Sequence, residues 1–119
     1  MMNATTYREK VREMKRHRND LVTGQPEVMK AFAALSDAAS AAGKLDTKTK
    51  ELIALGIAVI NRCDECIAVH VQDAVESGAT KQEVIETLGV SILMGGGPAV
   101  MYSTHAMAAL KEFEAAQPA

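Results

Sequence analysis

Tryptophan is absent from this 119-residue chain, and phenylalanine and tyrosine occur twice each. A core without large aromatic anchors must be built from Ala, Leu, Ile, Val and the seven Met. Alanine-rich, aromatic-poor packing suits close-set helices better than sheets. A dominant charge is also missing. Thirteen basic and fifteen acidic residues leave a net charge of -2, so nothing draws the whole chain toward nucleic acid or a membrane surface. The longest apolar run, "LIALGIAVI" at 52–60, has nine residues, against the roughly 20 that a helical bilayer span needs. The opening "MMNATTYREKVREMKRHRND" has no apolar h-region. These absences set the expectation of a cytoplasmic protein with no membrane and no nucleic-acid partner. "GGGP" at 95–98 lacks the Lys and Ser/Thr of a phosphate loop and reads as a helix break. There is no flavin or nicotinamide motif, so no bound organic cofactor is expected. Cysteine is scarce too, with two in all. In a reducing compartment such a pair more often does catalysis or binds metal than staples a fold.

What is present reads as helix throughout. Residues 5–22 carry a narrow apolar stripe of Tyr7, Val11, Met14 and Leu21. Pro26 fits the first turn of a second helix, with Val28, Met29, Phe32 and Leu35 at helical spacing and Gly43 able to end it. Asp46 can cap a third helix running to about Asn61, apolar on nearly every side after Glu51 and so expected to be the buried centre; its Ile- and Val-rich run also fits a buried strand, and its length from Thr47 favours the helix. A fourth runs from about Arg62 to Ser77 and stops at Gly78. Thr80 with Glu83 forms a capping box for a fifth, placing Val84, Ile85, Leu88 and Ile92 inward. After the glycine break, Pro98 opens a last helix to about Glu114. The expectation is an all-α, single-domain bundle of about six helices over residues 1–119.

Chemistry concentrates in "NRCDECIAVH", residues 61–70, which holds both cysteines. At about 100° per residue, Cys63, Cys66 and His70 share one helical face within about 60°. Cysteines three apart on a helix have Cα atoms about 5 Å apart, within disulfide reach. With Asn61 as N-cap, both fall in the first turn, where unpaired N–H groups and the positive dipole end favour a thiolate. His70, one turn after Cys66, can take its proton or supply a charge partner. Cys66, deeper in the helix, is expected to be the less accessible of the two. If the third and fourth helices form an antiparallel hairpin turning near Asn61, Glu51 and His70 both lie about 14 to 15 Å from the turn and face each other. The rival reading is a metal site of Cys63, Cys66 and His70, which needs a fourth ligand. His17 lies in a basic run best read as a solvated helix face, and His105 reads as a filler.

The arrangement Glu51, eleven residues, Cys63-x-x-Cys66, three residues, His70 resembles the alkylhydroperoxidase D branch of the carboxymuconolactone decarboxylase superfamily. The stretch "GKLDTKTKELIALGIAVINRCDECIAVHVQDAVESGATKQEVIETL" at 43–88 carries the likeness, and "GGGPAVMYSTHAMAALKEF" is similar to the closing helix. The resemblance implies an all-helical fold, trimers or hexamers, and thiol-dependent peroxidase or disulfide reductase chemistry. It implies Cys66 as attacking thiol, Cys63 as resolving thiol, and His70 with Glu51 as a proton relay. Decarboxylase members lack the cysteine pair. Glu65 stands where peroxidase members often carry histidine, a departure that bears on peroxidase efficiency. The expected partners are a hydroperoxide or disulfide substrate and an external dithiol reductant. The competing readings are a zinc-binding module and a redox sensor that turns nothing over.

Overall fold

The computed structural model describes residues 6–117. It is all-α, with no strand among those residues. The elements are α1 (Tyr7–Gly24), α2 (Pro26–Ser40), α3 (Thr47–Ile60), α4 (Asp64–Glu76) and α5 (Lys81–Ala115). Their N-termini follow from side-chain chemistry. Thr6 with Glu9 and Thr80 with Glu83 form capping boxes at α1 and α5, and Asp46 accepts from the Thr49 N–H at α3. Glu112, near the end of α5, accepts from the Tyr7 and Arg8 N–H groups and so ties the two ends of the chain together. The expected start of the first helix at residue 5 lies outside the described residues.

Helices α3, α4 and α5 pack on one another, α1 lies over α4 and α5, and α2 rests mainly on α1. Leu55, Val59, Ile67, Val71, Val84 and Leu110 are the largest fully buried side chains. Small residues let the helices approach closely. A Cβ on Gly95 would lie 2.6 Å from Ile60 Cδ1 and 2.9 Å from Ala99 Cβ, so any larger residue where α5 crosses the end of α3 would require these neighbours to shift.

Several expectations need correction. Five helices form rather than about six, because the two segments expected on either side of the glycine run meet at a kink and together make up α5; the expected break is there, at Gly96. Gly96 alone leaves helical geometry (φ 65°, ψ -147°), and Pro98 is accommodated just past that kink. By length and composition, α5 is the one element among the described residues that could cross a bilayer. Its buried residues, including Val84, Leu88, Ala106 and Leu110, form part of the helical core. The third helix is not wholly buried, since Ile53, Ile57 and Ile60 are about half exposed. Ile92 also faces outward, and Ile85 is half-buried. In α2 no residue is buried, and the stripe of Val28, Phe32 and Leu35 is open. That helix stops at Ser40, three residues before Gly43. Amphipathic spacing marks a face that wants cover, but a single chain need not supply the cover.

Candidate active site

The α3–α4 turn sets up the site. Asn61 is the C-cap of α3 and not the N-cap of α4. Arg62 adopts left-handed geometry (φ 57°), its N–H bonds Val59 O, and the Cys63 N–H bonds Ala58 O. These are the two hydrogen bonds of a Schellman close, here with arginine where glycine is usual. The reversal leaves Cys63 extended, as N-cap of α4, with its sulfur accepting from the Cys66 N–H at 3.3 Å. Cys66 is then N3, still in the first turn, where the helix end favours an anion.

Cys63 and Cys66 are joined as a disulfide, with Cα atoms 5.2 Å apart. Cys66 is the exposed member and Cys63 is half-buried, opposite to the expected accessibility. The N-cap position explains this: it folds the Cys63 side chain back onto the first turn, while Cys66 stands on the helix surface.

The hairpin brings Glu51 of α3 against His70 of α4. His70 Nδ1 lies 2.8 Å from Glu51 Oε2, a direct contact across 19 residues of sequence. Glu51 is buried and the His70 side chain is about one-third exposed. Asp73, three residues past His70, joins them. Ligand-capable atoms of Glu51, His70 and Asp73 all lie within 4.8 Å of one another. Burial first, and then the charge of Glu51, push the Asp73 carboxyl above the usual range, against the opposing pull of His70. These three could offer a metal two carboxylates and an imidazole, but the set contains neither cysteine. Closure of the disulfide also removes both sulfurs as thiolate ligands.

Sequence reasoning missed Asp73, although its i, i+3 spacing from His70 placed it on the same face. It also missed a second pair. His105 of α5 lies 2.8 Å through Nδ1 from Asp64 Oδ1, and Lys10 of α1 lies 3.4 Å from the other oxygen, Oδ2. His105 is therefore not a filler. No local pattern joins residues 64 and 105, so only the packing of α5 on α4 reveals the contact. His17, by contrast, is exposed on α1, 3.6 Å from Glu13.

An apolar groove of about 590 Å3 runs between α3 and α5. Its α3 lining is Thr49, Leu52, Ile53, Gly56, Ile57 and Ile60. At 100° per residue this face is centred about 170° from Glu51. The groove therefore lies on the far side of α3 from the Glu51–His70 pair and is no part of that site.

The model of the carboxymuconolactone decarboxylase family matches residues 26–112. A family protein from Legionella pneumophila has a crystal structure that superposes with a TM-score of 0.88 at 40% identity, covering 90% of this chain and 96% of that one. A Thermotoga maritima family protein, for which a role in an antioxidative response has been suggested, superposes at 0.80 with 34% identity over 89% and 91% of the two chains. An uncharacterised Cupriavidus necator protein is 38% identical over 104 residues, 87% of this chain and 92% of its own.

Proposed function

The chain belongs to the carboxymuconolactone decarboxylase family, and from that premise we propose that it is a thiol-dependent oxidoreductase, reducing hydroperoxides or disulfides in the manner of the alkylhydroperoxidase D branch. The observation that carries this reading is the direct His70–Glu51 contact one helical turn beyond Cys66 of a closable cysteine pair. The antioxidative role suggested for the Thermotoga relative points the same way.

In the reduced enzyme His70 donates its Nδ1 proton to the Glu51 carboxylate, which leaves Nε2 as the basic nitrogen. That nitrogen takes the Cys66 proton, with the helix N-terminus favouring the thiolate that forms. The thiolate attacks the distal peroxide oxygen, the O–O bond breaks, and the proton held by His70 goes to the departing alkoxide. Cys66 is now a sulfenic acid and the product is an alcohol. Cys63 attacks the sulfenic sulfur, water leaves, and the disulfide closes. An external dithiol restores both thiols by exchange. With a disulfide substrate the same thiolate forms a mixed disulfide, and Cys63 displaces the second thiol. The exposure of Cys66 suits the attacking role. The resting dithiol belongs to a reducing, cytoplasmic setting.

The test is a panel of hydroperoxides and disulfides with a dithiol reductant, run in parallel on the wild type and on Cys66→Ser. Turnover lost in the variant supports the reading. Wild-type protein that closes its disulfide but consumes no substrate at steady state would make it a sensor. Stoichiometric zinc in the purified reduced protein would favour the metal-binding alternative.

The reading includes a homo-oligomer. Ile53, Ile57, Ile60, Val90 and Met94 are exposed along the α3–α5 groove, and Leu93 and Met101 lie bare on the same helix. A 12.7 kDa chain leaves them without cover. The resemblance favours a trimer or hexamer. Light scattering at micromolar concentration tests this, and a mass of about one chain would rule it out.

A further inference from the structure

The second histidine–carboxylate pair lies at the end of α4 that carries the sulfurs. Asp64 is the first helical residue, immediately after Cys63 and two before Cys66. Its carboxylate and a Cys66 thiolate compete for the same positive helix end, and each raises the energy of the other. An unscreened Asp64 would therefore oppose ionisation of the thiol that the proposed chemistry needs. The fold engages both of its oxygens, with His105 Nδ1 on Oδ1 at 2.8 Å and Lys10 Nζ on Oδ2 at 3.4 Å. The two donors come from α5 and α1, so the arrangement is a product of tertiary packing and not of the cysteine motif. Tyr102 and Tyr7 flank the His105 ring at centroid distances of 5.1 and 6.4 Å.

The charged and titratable groups around this end of α4 are few. Helix α1 brings Tyr7 and Lys10, α5 brings Tyr102, His105 and Glu112, and α3 brings Glu51 against His70. Arg62 and Glu65 are exposed chain neighbours of the cysteines. Burial, then Asp64 and Glu112, push the Tyr7 phenol above its ordinary value, so it stays neutral at physiological pH. Glu112 is turned to the first N–H groups of α1. Asp64 is thus the anion nearest the sulfurs along the chain that has cationic or N–H partners from other helices.

We propose that His105, assisted by Lys10, is a positioning residue for the redox pair: by holding both oxygens of Asp64 it turns that carboxylate's field away from the thiols and lets Cys66 ionise. The proposal deepens the thiol reading and rests on it for the identity of the reacting sulfur. His105 acts through Asp64 and need not touch substrate.

The test is the alkylation rate of the reduced protein by iodoacetamide against pH, with mass spectrometry assigning the site. No oxidant is involved, so the titration can be read even from a protein that turns nothing over. A failure of the thiol reading would show separately, as no turnover of the hydroperoxide and disulfide panel, while alkylation at Cys63 in the wild type would exchange the roles of the two sulfurs. His105→Gln is expected to raise the apparent Cys66 pKa by about half a unit to one unit, or about three- to tenfold less thiolate at neutral pH, the scale of a partly screened charge near the surface. Asp64→Asn is expected to lower it, and His105→Gln should add nothing further in the Asp64→Asn background. An unchanged titration in His105→Gln overturns the proposal. So does an equal upward shift in the Asp64→Asn background, because His105 would then act on the thiol directly. Should His105→Gln fold poorly by circular dichroism, Lys10→Gln approaches the same carboxylate from its other oxygen. An upward shift that disappears with Asp64→Asn supports the proposal, and no shift overturns it.

Discussion

Two histidine–carboxylate contacts flank α4, both made through Nδ1 and both 2.8 Å long. Their surroundings differ. The Glu51 side chain is 10% exposed, and a second, partly buried carboxyl, Asp73, crowds the same place. Asp64 is 24% exposed and shares its charge with Lys10 as well as His105. The first pair crowds two carboxyl groups around one imidazole in a largely buried place. The second is balanced by two donors and screened by solvent. Contact length therefore says little about role. Burial and the surrounding groups separate the two pairs, and the proposed reading assigns proton transfer to the first and charge screening to the second.

The largest test of that contrast removes what both pairs serve. Cys66→Ser should abolish turnover, while Cys63→Ser should leave one reactive thiol that traps a sulfenic acid or a mixed disulfide. Mass spectrometry of both variants after oxidant treatment checks this, and an adduct carried by Cys63 alone would reverse the roles. Next comes the direct comparison of the two carboxylates. Glu51→Gln should lower the rate by about 10²–10³-fold, the usual scale for losing an acid–base element, and should raise the apparent thiol pKa. Asp64→Asn should change the rate by less than about tenfold, since it removes an opposing charge and no proton carrier. Steady-state kinetics on the two variants decides, and equal losses would erase the distinction.

Stability offers a smaller contrast. His70→Ala strips the partner from a buried carboxylate and should cost about 1–3 kcal/mol. His105→Ala breaks a part-exposed pair and should cost about 0.2–1 kcal/mol. Urea denaturation of the two variants measures both, with the oligomer concentration held fixed.

The smallest effect belongs to Asp73. Its folded-state carboxyl is raised above the unfolded value. The native state therefore holds this proton more tightly, and that advantage is complete below the unfolded value and lost as pH rises through the raised one. Above that window, ionised Asp73 is a liability. Asp73→Asn should stabilise the protein slightly at neutral pH and leave it unchanged in acid. Thermal melts at several pH values check the sign, and a loss at neutral pH would mean that Asp73 is held by a favourable contact.

The two ends of α4 show what could be read from the chain and what could not. Gly78 closes the helix in left-handed geometry, with the Ala79 N–H on Ala74 O, as a glycine after a helical run suggests. Arg62 performs the same turn at the end of α3, yet nothing about arginine announces it. Asn61, the N-cap of α4 that the chain suggests, is accordingly two residues early. The Glu51–His70 contact was within reach because hairpin arithmetic depends only on helical rise and the position of the turn. The exposure of Ile53, Ile57, Phe32 and Leu35 was not, because apolar spacing is the same whether the covering surface belongs to this chain or to another.

By itself the amino-acid sequence determined the helical class, most helix starts, the closable spacing of Cys63 and Cys66, and the shared face of Cys66 with His70. These rest on interactions within a few residues: caps, periodicity, and the rise of a single helix. Tertiary structure alone decided that Cys66 is the exposed sulfur, that Ile53, Ile57 and Ile60 of α3 stay half exposed, and that His105 and Lys10 meet on Asp64. Those outcomes depend on which helices touch and how deeply each residue is buried, and contacts between residues 41 or 54 positions apart leave no local pattern in the chain.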